Sequence, residues 1–224
     1  MRPLVVSLFD RSGAWPEPWA AGGFRVVTVD LEPALPGTMF AGREHVRADV
    51  LSCPVACEAD VLLLAPPCTE FAVSGARWFA TKDADGRTAS AVRVVRSALD
   101  AIRSLRPAVW ALENPVGRLS RLVPELGSPA LAFDPCDYAG HANDPEANAY
   151  TKRTQLWGDF CADLEVSRIQ PVRACSQGSW LQRLGGRSER TKVLRSTTPQ
   201  GFARAFYMAN RLAQRRARWG WAAV

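Results

Sequence analysis

No run of apolar residues in this 224-residue chain approaches the ~20 that a bilayer-spanning helix needs, so a membrane role is not expected. The opening Met1-Arg-Pro-Leu-Val-Val-Ser-Leu-Phe9 is too short, and too soon followed by Asp10 and Arg11, for a secretory signal. A cytoplasmic protein is expected. Histidine is scarce, with two residues, and the six cysteines are scattered. Cys53 and Cys57 form the only close pair; His45, His141, Cys136, Cys161 and Cys175 supply no second paired spacing, so no metal site is expected. A cytosolic chain of this size keeps its thiols reduced, which leaves disulfides out as well. Lysine is rare beside arginine. The abundance of Ala, Arg, Gly and Pro points to a GC-rich genome, which accounts for that choice as readily as phosphate geometry does. There is also no room for a second large domain, and a single domain over residues 1–224 is expected.

What is present is ordinary globular material, 47% apolar and 22% charged. Its most informative stretch is Asp60-Val-Leu-Leu-Leu-Ala-Pro-Pro-Cys68, an apolar run of strand length broken by two prolines. Pro66 and Pro67 fix φ and remove two donors, so the chain must leave the sheet stiffly and extended. Cys68 is thereby held at the carboxyl end of a buried strand, where ligands collect in open α/β sheets. A buried thiol acting as a small hydrophobe is the bland alternative, but it needs no proline pedestal. A second apolar run, Pro107-Ala-Val-Trp-Ala-Leu-Glu-Asn-Pro115, ends in Glu113 and Asn114. If the two strands are parallel neighbours, Cys68 and Glu113 open onto one edge.

The remaining elements fit an α/β alternation. Pro3–Phe9 reads as the first strand, Asp10-Arg-Ser-Gly13 as a turn, and Pro16–Gly22 as a helix with proline in its first turn. Strand, glycine-bearing turn and helix make a nucleotide-type pocket. Phe24–Asp30 is a second strand, and an acid at its end suits ribose hydroxyls or a turn cap equally; Asp30 is the first choice and Glu32 the reserve. Thr88–Leu105 has the period of an amphipathic helix with solvent-facing arginines. Phe71–Arg87 and Asp137–Asn148 read as loops, Ala130–Asp134 and Lys152–Trp157 as strands. Thr198 is placed as N-cap of a closing helix. The net charge of +6 includes a basic cluster at Arg187, Arg190, Lys192 and Arg195, which suits a polyanion such as nucleic acid.

Together, the Pro-Pro-Cys loop and the Glu-Asn-Pro strand end resemble the cytosine-C5 DNA methyltransferases. Leu8-Phe9-Asp-Arg-Ser-Gly13 is similar to the first motif of that family, Tyr150-Thr-Lys-Arg-Thr-Gln-Leu-Trp-Gly158 to its arginine-bearing strand, and Ser196–Ala203 to its closing helix, in the family's order. The resemblance implies a Rossmann-like open sheet with helices on both faces, of the class I methyltransferase type, acting on DNA in the cytoplasm, or in the host cytoplasm if a phage carries the gene. It also implies roles. Cys68 attacks C6 of cytosine, Glu113 serves N3 with Asn114 beside it, and Arg153, with Lys152 second, holds O2 and a nearby phosphate. S-adenosylmethionine is expected on Phe9, Asp10, Ser12, Gly13, Asp30, Asp49 and Pro66. The loop after Cys68 is expected to close over the target base.

The chain departs from the family in two places. Arg11 and Ala14 stand where two glycines of the first motif are expected, which opens an alternative donor, methylenetetrahydrofolate, and transfer of hydroxymethyl. Only the short basic segment 166–196 stands where a recognition domain is expected, as in compact phage-like members. An inactive nucleic-acid-binding relative is the third reading. Retention of Cys68, Glu113, Lys152 and Arg153 argues against it. Oligomeric state is not indicated.

Overall fold

The computed structural model describes residues 2–52, 59–171 and 188–219, with side chains as far as Arg211. Its centre is a run of strands with no exposed face. Strand β1 (Leu4–Leu8) is buried at all five positions and β4 (Val61–Leu64) at all four. Strands covered on both faces read as continuous apolar runs, which is why these two were visible in the sequence. With β2 (Arg25–Asp30), β3 (Arg43–Arg47), β5 (Val109–Pro115), β6 (Leu131–Phe133) and β7 (Thr154–Asp159) they form one seven-stranded sheet in the order β3-β2-β1-β4-β5-β7-β6. The first five run parallel, β7 is antiparallel to β5, and β6 is antiparallel to β7.

Alternate residues feed two cores. Leu4, Val6, Leu8, Leu62, Leu64 and Leu112 pack with Val95, Ala98 and Leu99 of α3 (Arg87–Leu105) and with Leu119 of α4 (Leu119–Leu122). Val5, Val61, Leu63, Val109 and Ala111 pack on the other face with Trp19 of α1 (Glu17–Ala21) and with Phe202 and Phe206 of the closing helix. Phe133 and Phe202 stack there with centroids 4.1 Å apart. This is an α/β, Rossmann-like open sheet with helices on both faces. The strand order reverses between β1 and β4, so the crevice at their carboxyl ends, where a ligand binds in such sheets, is bounded by Phe9–Gly13 on one side and Pro66–Cys68 on the other.

Several segments differ from the sequence reading. Phe71–Arg87 is not an open loop: it holds a 3-10 turn at Val73–Trp78 and the helix α2 (Phe79–Ala84), because buried cations satisfy its backbone, as detailed below. Asp137–Asn148 contains a 3-10 turn at Ala139–His141 and a short helix, α5 (Pro145–Asn148), capped by Asp144. The strand β3 was not anticipated, since three of its five residues are Arg or Glu; pairing with β2 makes it. Within the basic segment lies α6 (Glu189–Ser196), where the Ser188 hydroxyl accepts from the Thr191 amide. The closing helix α7 (Gln200–Trp219) begins after Thr198, with the Pro199 carbonyl accepting from Ala203. Arg187, Cys53, Cys57 and Cys175 lie outside the described residues.

The Cys68 loop is tied to the exit of β5 at one close crossing. Ala72 bridges Gly117, Val73 donates to the Val116 carbonyl at 3.1 Å, and Arg118 donates to the Phe71 carbonyl at 3.0 Å. A Cβ on Gly117 would stand 2.0 Å from the Phe71 oxygen. Gly117→Ala is therefore expected to force these segments apart and cost about 1–3 kcal/mol in denaturant unfolding, with loss of activity beyond the loss of folded protein.

Candidate active site

β4 and β5 pair in parallel, Leu64 opposite Leu112, so the residues that follow them share one edge. Cys68 and Glu113 meet there electrostatically. Burial pushes the Cys68 thiol up; Lys152 draws it back toward thiolate, while Glu113 adds to the rise. Burial likewise pushes Glu113 up, again opposed by Lys152. Tyr150 is buried, and its phenol is raised first by that burial and then by Glu113. A thiol, a carboxyl, a phenol and one cation thus form the centre. Asn114 is fully buried; its amide donates to the Pro66 carbonyl at 3.1 Å, which holds the proline pedestal against β5, and its Oδ1 is buried without a hydrogen-bond partner.

The two candidate cations are separated by the structure. Arg153 is exposed and pairs with Asp134 at 3.4 Å, whereas Lys152 is partly covered and acts on both Cys68 and Glu113. Strand register explains the choice. Glu113 lies opposite Leu156, and continuing the alternation from Leu156 through Thr154 brings Lys152, not Arg153, to the face of Glu113. The Lys152 ammonium also donates to the Arg195 carbonyl, 2.9 Å away, at the end of α6. Arg190, Lys192 and Arg195 are exposed on that helix.

Two further buried cations hold the loop that bears Cys68. Lys82 of α2 is 5% exposed, donates to the Thr69 carbonyl and pairs with Glu70 at 3.1 Å. Its charge also favours the Cys68 thiolate. Arg118 bonds the Glu70 carbonyl, Asp83 and the Thr88 hydroxyl at 2.8–3.0 Å and lies 3.7 Å over the Phe79 ring. Asp83 is lowered by that bond. Trp78 is 53% exposed and Phe79 is covered by Arg118, so only the latter is an anchor. Sequence reasoning missed Lys82, Arg118 and Tyr150. A usable signal existed for the first: the chain has three lysines, and two of them, Lys82 and Lys152, serve Cys68.

On the other side of the crevice, Phe9 takes a left-handed φ of 61° and bonds the Val29 carbonyl, joining the ends of β1 and β2. Asp10 is turned inward: its oxygens accept from the Gly13 amide at 2.7 Å and from the Ser12 and Ser7 hydroxyls at 2.8 Å, so it shapes the loop. Gly13 has φ 68°, and a Cβ there would meet the Arg43 guanidinium at 2.5 Å, so a side chain of this protein closes on the glycine. Asp30 accepts from the Glu32 amide, and burial raises it against the pull of Arg11. Asp49 caps its own turn through Leu51. Arg11 pairs with Glu189 at the start of α6, and its Nε is buried without a hydrogen-bond partner. A carboxylate and a buried, unanswered N–H thus act on each other at this side of the crevice. A cleft of about 640 Å³ opens on the side of the Cys68 loop, lined by Leu51, Pro67, Thr69, Glu70 and the first two turns of α3.

No protein-family model and no curated relative matches the chain. Among solved structures it is similar to a prophage-encoded E. coli protein put forward as a DNA modification methyltransferase, with 15% identity over 75% of this chain and 53% of that one and a TM-score of 0.49. It is also similar to an rRNA methylase from Escherichia coli, at 15% identity over 70% of this chain and 57% of that one, TM-score 0.37. A third is a Burkholderia thailandensis 1,6-didemethyltoxoflavin-N1-methyltransferase with S-adenosylhomocysteine bound, at 14% identity over 70% of this chain and 71% of that one, TM-score 0.38. The chain spans about half the length of the first. At such identities the likeness is one of fold, and what this chain acts on rests on its own side chains.

The raised Glu113 pKa makes a test of stability against pH. Below the ordinary carboxylate range, Glu113 is protonated whether the chain is folded or not; as pH rises, the unfolded chain releases its proton first, and the folded state loses stability until its own raised pKa is passed. Glu113→Gln is neutral throughout. Its Tm relative to wild type is therefore expected to climb as pH rises above the ordinary carboxylate range, measured by thermal unfolding; a difference that does not change with pH would count against a raised Glu113.

Proposed function

We propose that the protein is a methyltransferase that modifies C5 of cytosine in nucleic acid through a covalent Cys68 adduct, with S-adenosylmethionine as donor. The observation that carries the reading is one cation, Lys152, acting on both a thiol and a carboxyl at the ends of neighbouring parallel strands. Cytosine C5 is a poor nucleophile, and covalent addition divides one hard step into two. The Cys68 thiolate forms a bond to C6, and the displaced electron pair makes C5 nucleophilic while N3 takes a proton from Glu113. A protonated Glu113 is what burial at this edge favours. C5 takes the methyl group while the pair of its former bond stays on the donor sulfur; a base then removes the C5 proton, the electrons re-form the C5–C6 double bond and expel the Cys68 sulfur, and N3 returns its proton to Glu113. The donor supplies an electrophilic methyl group; Asp30 would hold its ribose, and the Arg11 Nε its carboxylate.

A nucleic-acid target is supported by the exposed Arg190, Lys192 and Arg195 on α6, which adjoins Lys152. Contacts of this kind draw phosphate and weaken with salt. Trp78, exposed on the loop after Cys68, is available to a base.

Substrate containing 5-fluorocytosine is expected to leave a denaturation-resistant adduct, because fluorine does not depart as a proton does; Cys68→Ser abolishes it, and an adduct that survives the substitution would move the nucleophile elsewhere. Glu113→Gln is expected to lower turnover by about two to four orders of magnitude. For the donor, calorimetry is expected to detect S-adenosylhomocysteine and to find it weakened by Asp30→Ala. A silent titration, with activity only on addition of a folate one-carbon donor, would replace the methyl donor by the folate.

A further inference from the structure

The loop Asp10–Ala14 has one glycine, yet it makes a turn tight enough to bring Phe9 and Asp10 onto the end of β2. A side chain from a different strand does the holding. Arg43, the first residue of β3, is 7% exposed, and its guanidinium lies inside the bend. Nη2 donates to the Arg11 carbonyl at 3.0 Å and Nη1 to the Ser12 carbonyl at 3.0 Å. Nη1 also reaches the Thr38 carbonyl and hydroxyl at 2.7 and 2.9 Å, and Nε donates to the Thr28 hydroxyl at 3.1 Å. A buried cation is costly unless its donors are answered, and these are answered almost wholly by neutral backbone and hydroxyl oxygens. The arrangement therefore fixes those oxygens in direction.

The same strand holds the adjoining loop. His45 and Arg47 follow Arg43 at alternate positions. His45 Nε2 bonds the Glu32 carbonyl at 3.0 Å, so that nitrogen carries the proton, and Nδ1 takes the Thr28 hydroxyl at 2.9 Å. Arg47 Nε donates to the Leu31 carbonyl at 3.0 Å. One continuous chain of bonds then runs from the Arg11 and Ser12 carbonyls through Arg43, Thr28 and His45 to the loop after Asp30. Both loops proposed to bind the donor are held from β3.

We propose that Arg43 is a positioning residue for the methyl donor: it pins the 10–14 loop through its carbonyls, and through Thr28 and His45 it sets that loop relative to Asp30. This rests on the donor reading above, and the test separates the two. Arg43→Met keeps the stem and removes the donors. It is expected to raise the Kd for S-adenosylhomocysteine by about tenfold or more and to raise the donor KM in step, while kcat at saturating donor stays within about threefold. Hydrogen exchange at residues 10–14 should quicken while β4 and β5 remain protected. Arg43→Lys, which reaches fewer of the carbonyls, should fall between wild type and Arg43→Met, and it carries the comparison if Arg43→Met does not fold. A folded Arg43→Met with wild-type Kd and wild-type exchange at residues 10–14 would overturn the proposal. If the wild type does not bind S-adenosylhomocysteine, the donor reading fails, and exchange at residues 10–14 alone decides whether Arg43 pins the loop.

Discussion

One positive charge at the sheet edge has to serve two groups that burial drives the same way. Desolvation favours the neutral form of both the Cys68 thiol and the Glu113 carboxyl, and each would raise the other further if ionised. Lys152 opposes both shifts but can neutralise only one negative charge. Burial thus favours the neutral form of both groups, with Lys152 opposing each rise and Lys82 opposing that of Cys68 as well. This coupling follows from which groups the parallel β4–β5 pair and the antiparallel β7 bring together.

Three more buried cations make the surroundings rigid by a common device. Lys82, Arg118 and Arg43 each direct N–H groups at backbone carbonyls of a loop: Thr69, Glu70, and Arg11 with Ser12. An uncompensated buried charge would cost several kcal/mol, so each loop can move only by giving up bonds its cation needs. The loop after Cys68 acquires helical structure in this way, and the loop after β1 keeps its bend with one glycine. Preorganisation of this kind is what a site needs if reacting groups are to meet without reorganising at the moment of reaction.

The parts of this design that the sequence disclosed are those written in apolar runs and strand-end punctuation. Val61–Leu64 followed by two prolines, and Val109–Leu112 followed by Glu-Asn-Pro, carry their meaning locally, and the neighbouring parallel placement was found as expected. β3 stayed hidden because Arg43, His45 and Arg47 spend their side chains on hydrogen bonds to loops, leaving no apolar alternation to detect. The helix at Phe79–Ala84 was hidden because its support comes from Arg118, more than thirty positions away. The resemblance put Arg153 ahead of Lys152, whereas the register against β5 places Lys152 on the Glu113 face, because adjacent strand residues face opposite ways.

The rim of the site is built differently from its floor. The helix α6 is joined to the loop after β1 by the Arg11–Glu189 pair and to Lys152 by the bond from its ammonium to the Arg195 carbonyl. Glu189 is 57% exposed, and pairs of this sort are worth about 0–1 kcal/mol, less again at high salt. Arg43 and Arg118, each 7% exposed, act under far less screening. The floor is thus fixed by bonds that are expensive to break, whereas the basic helix rests on ties that a phosphate could displace at little cost. The exposed Arg190 and Lys192 thus stand on the less tightly held part of the rim, which is bonded to the lysine that opposes the rise of the Cys68 thiol.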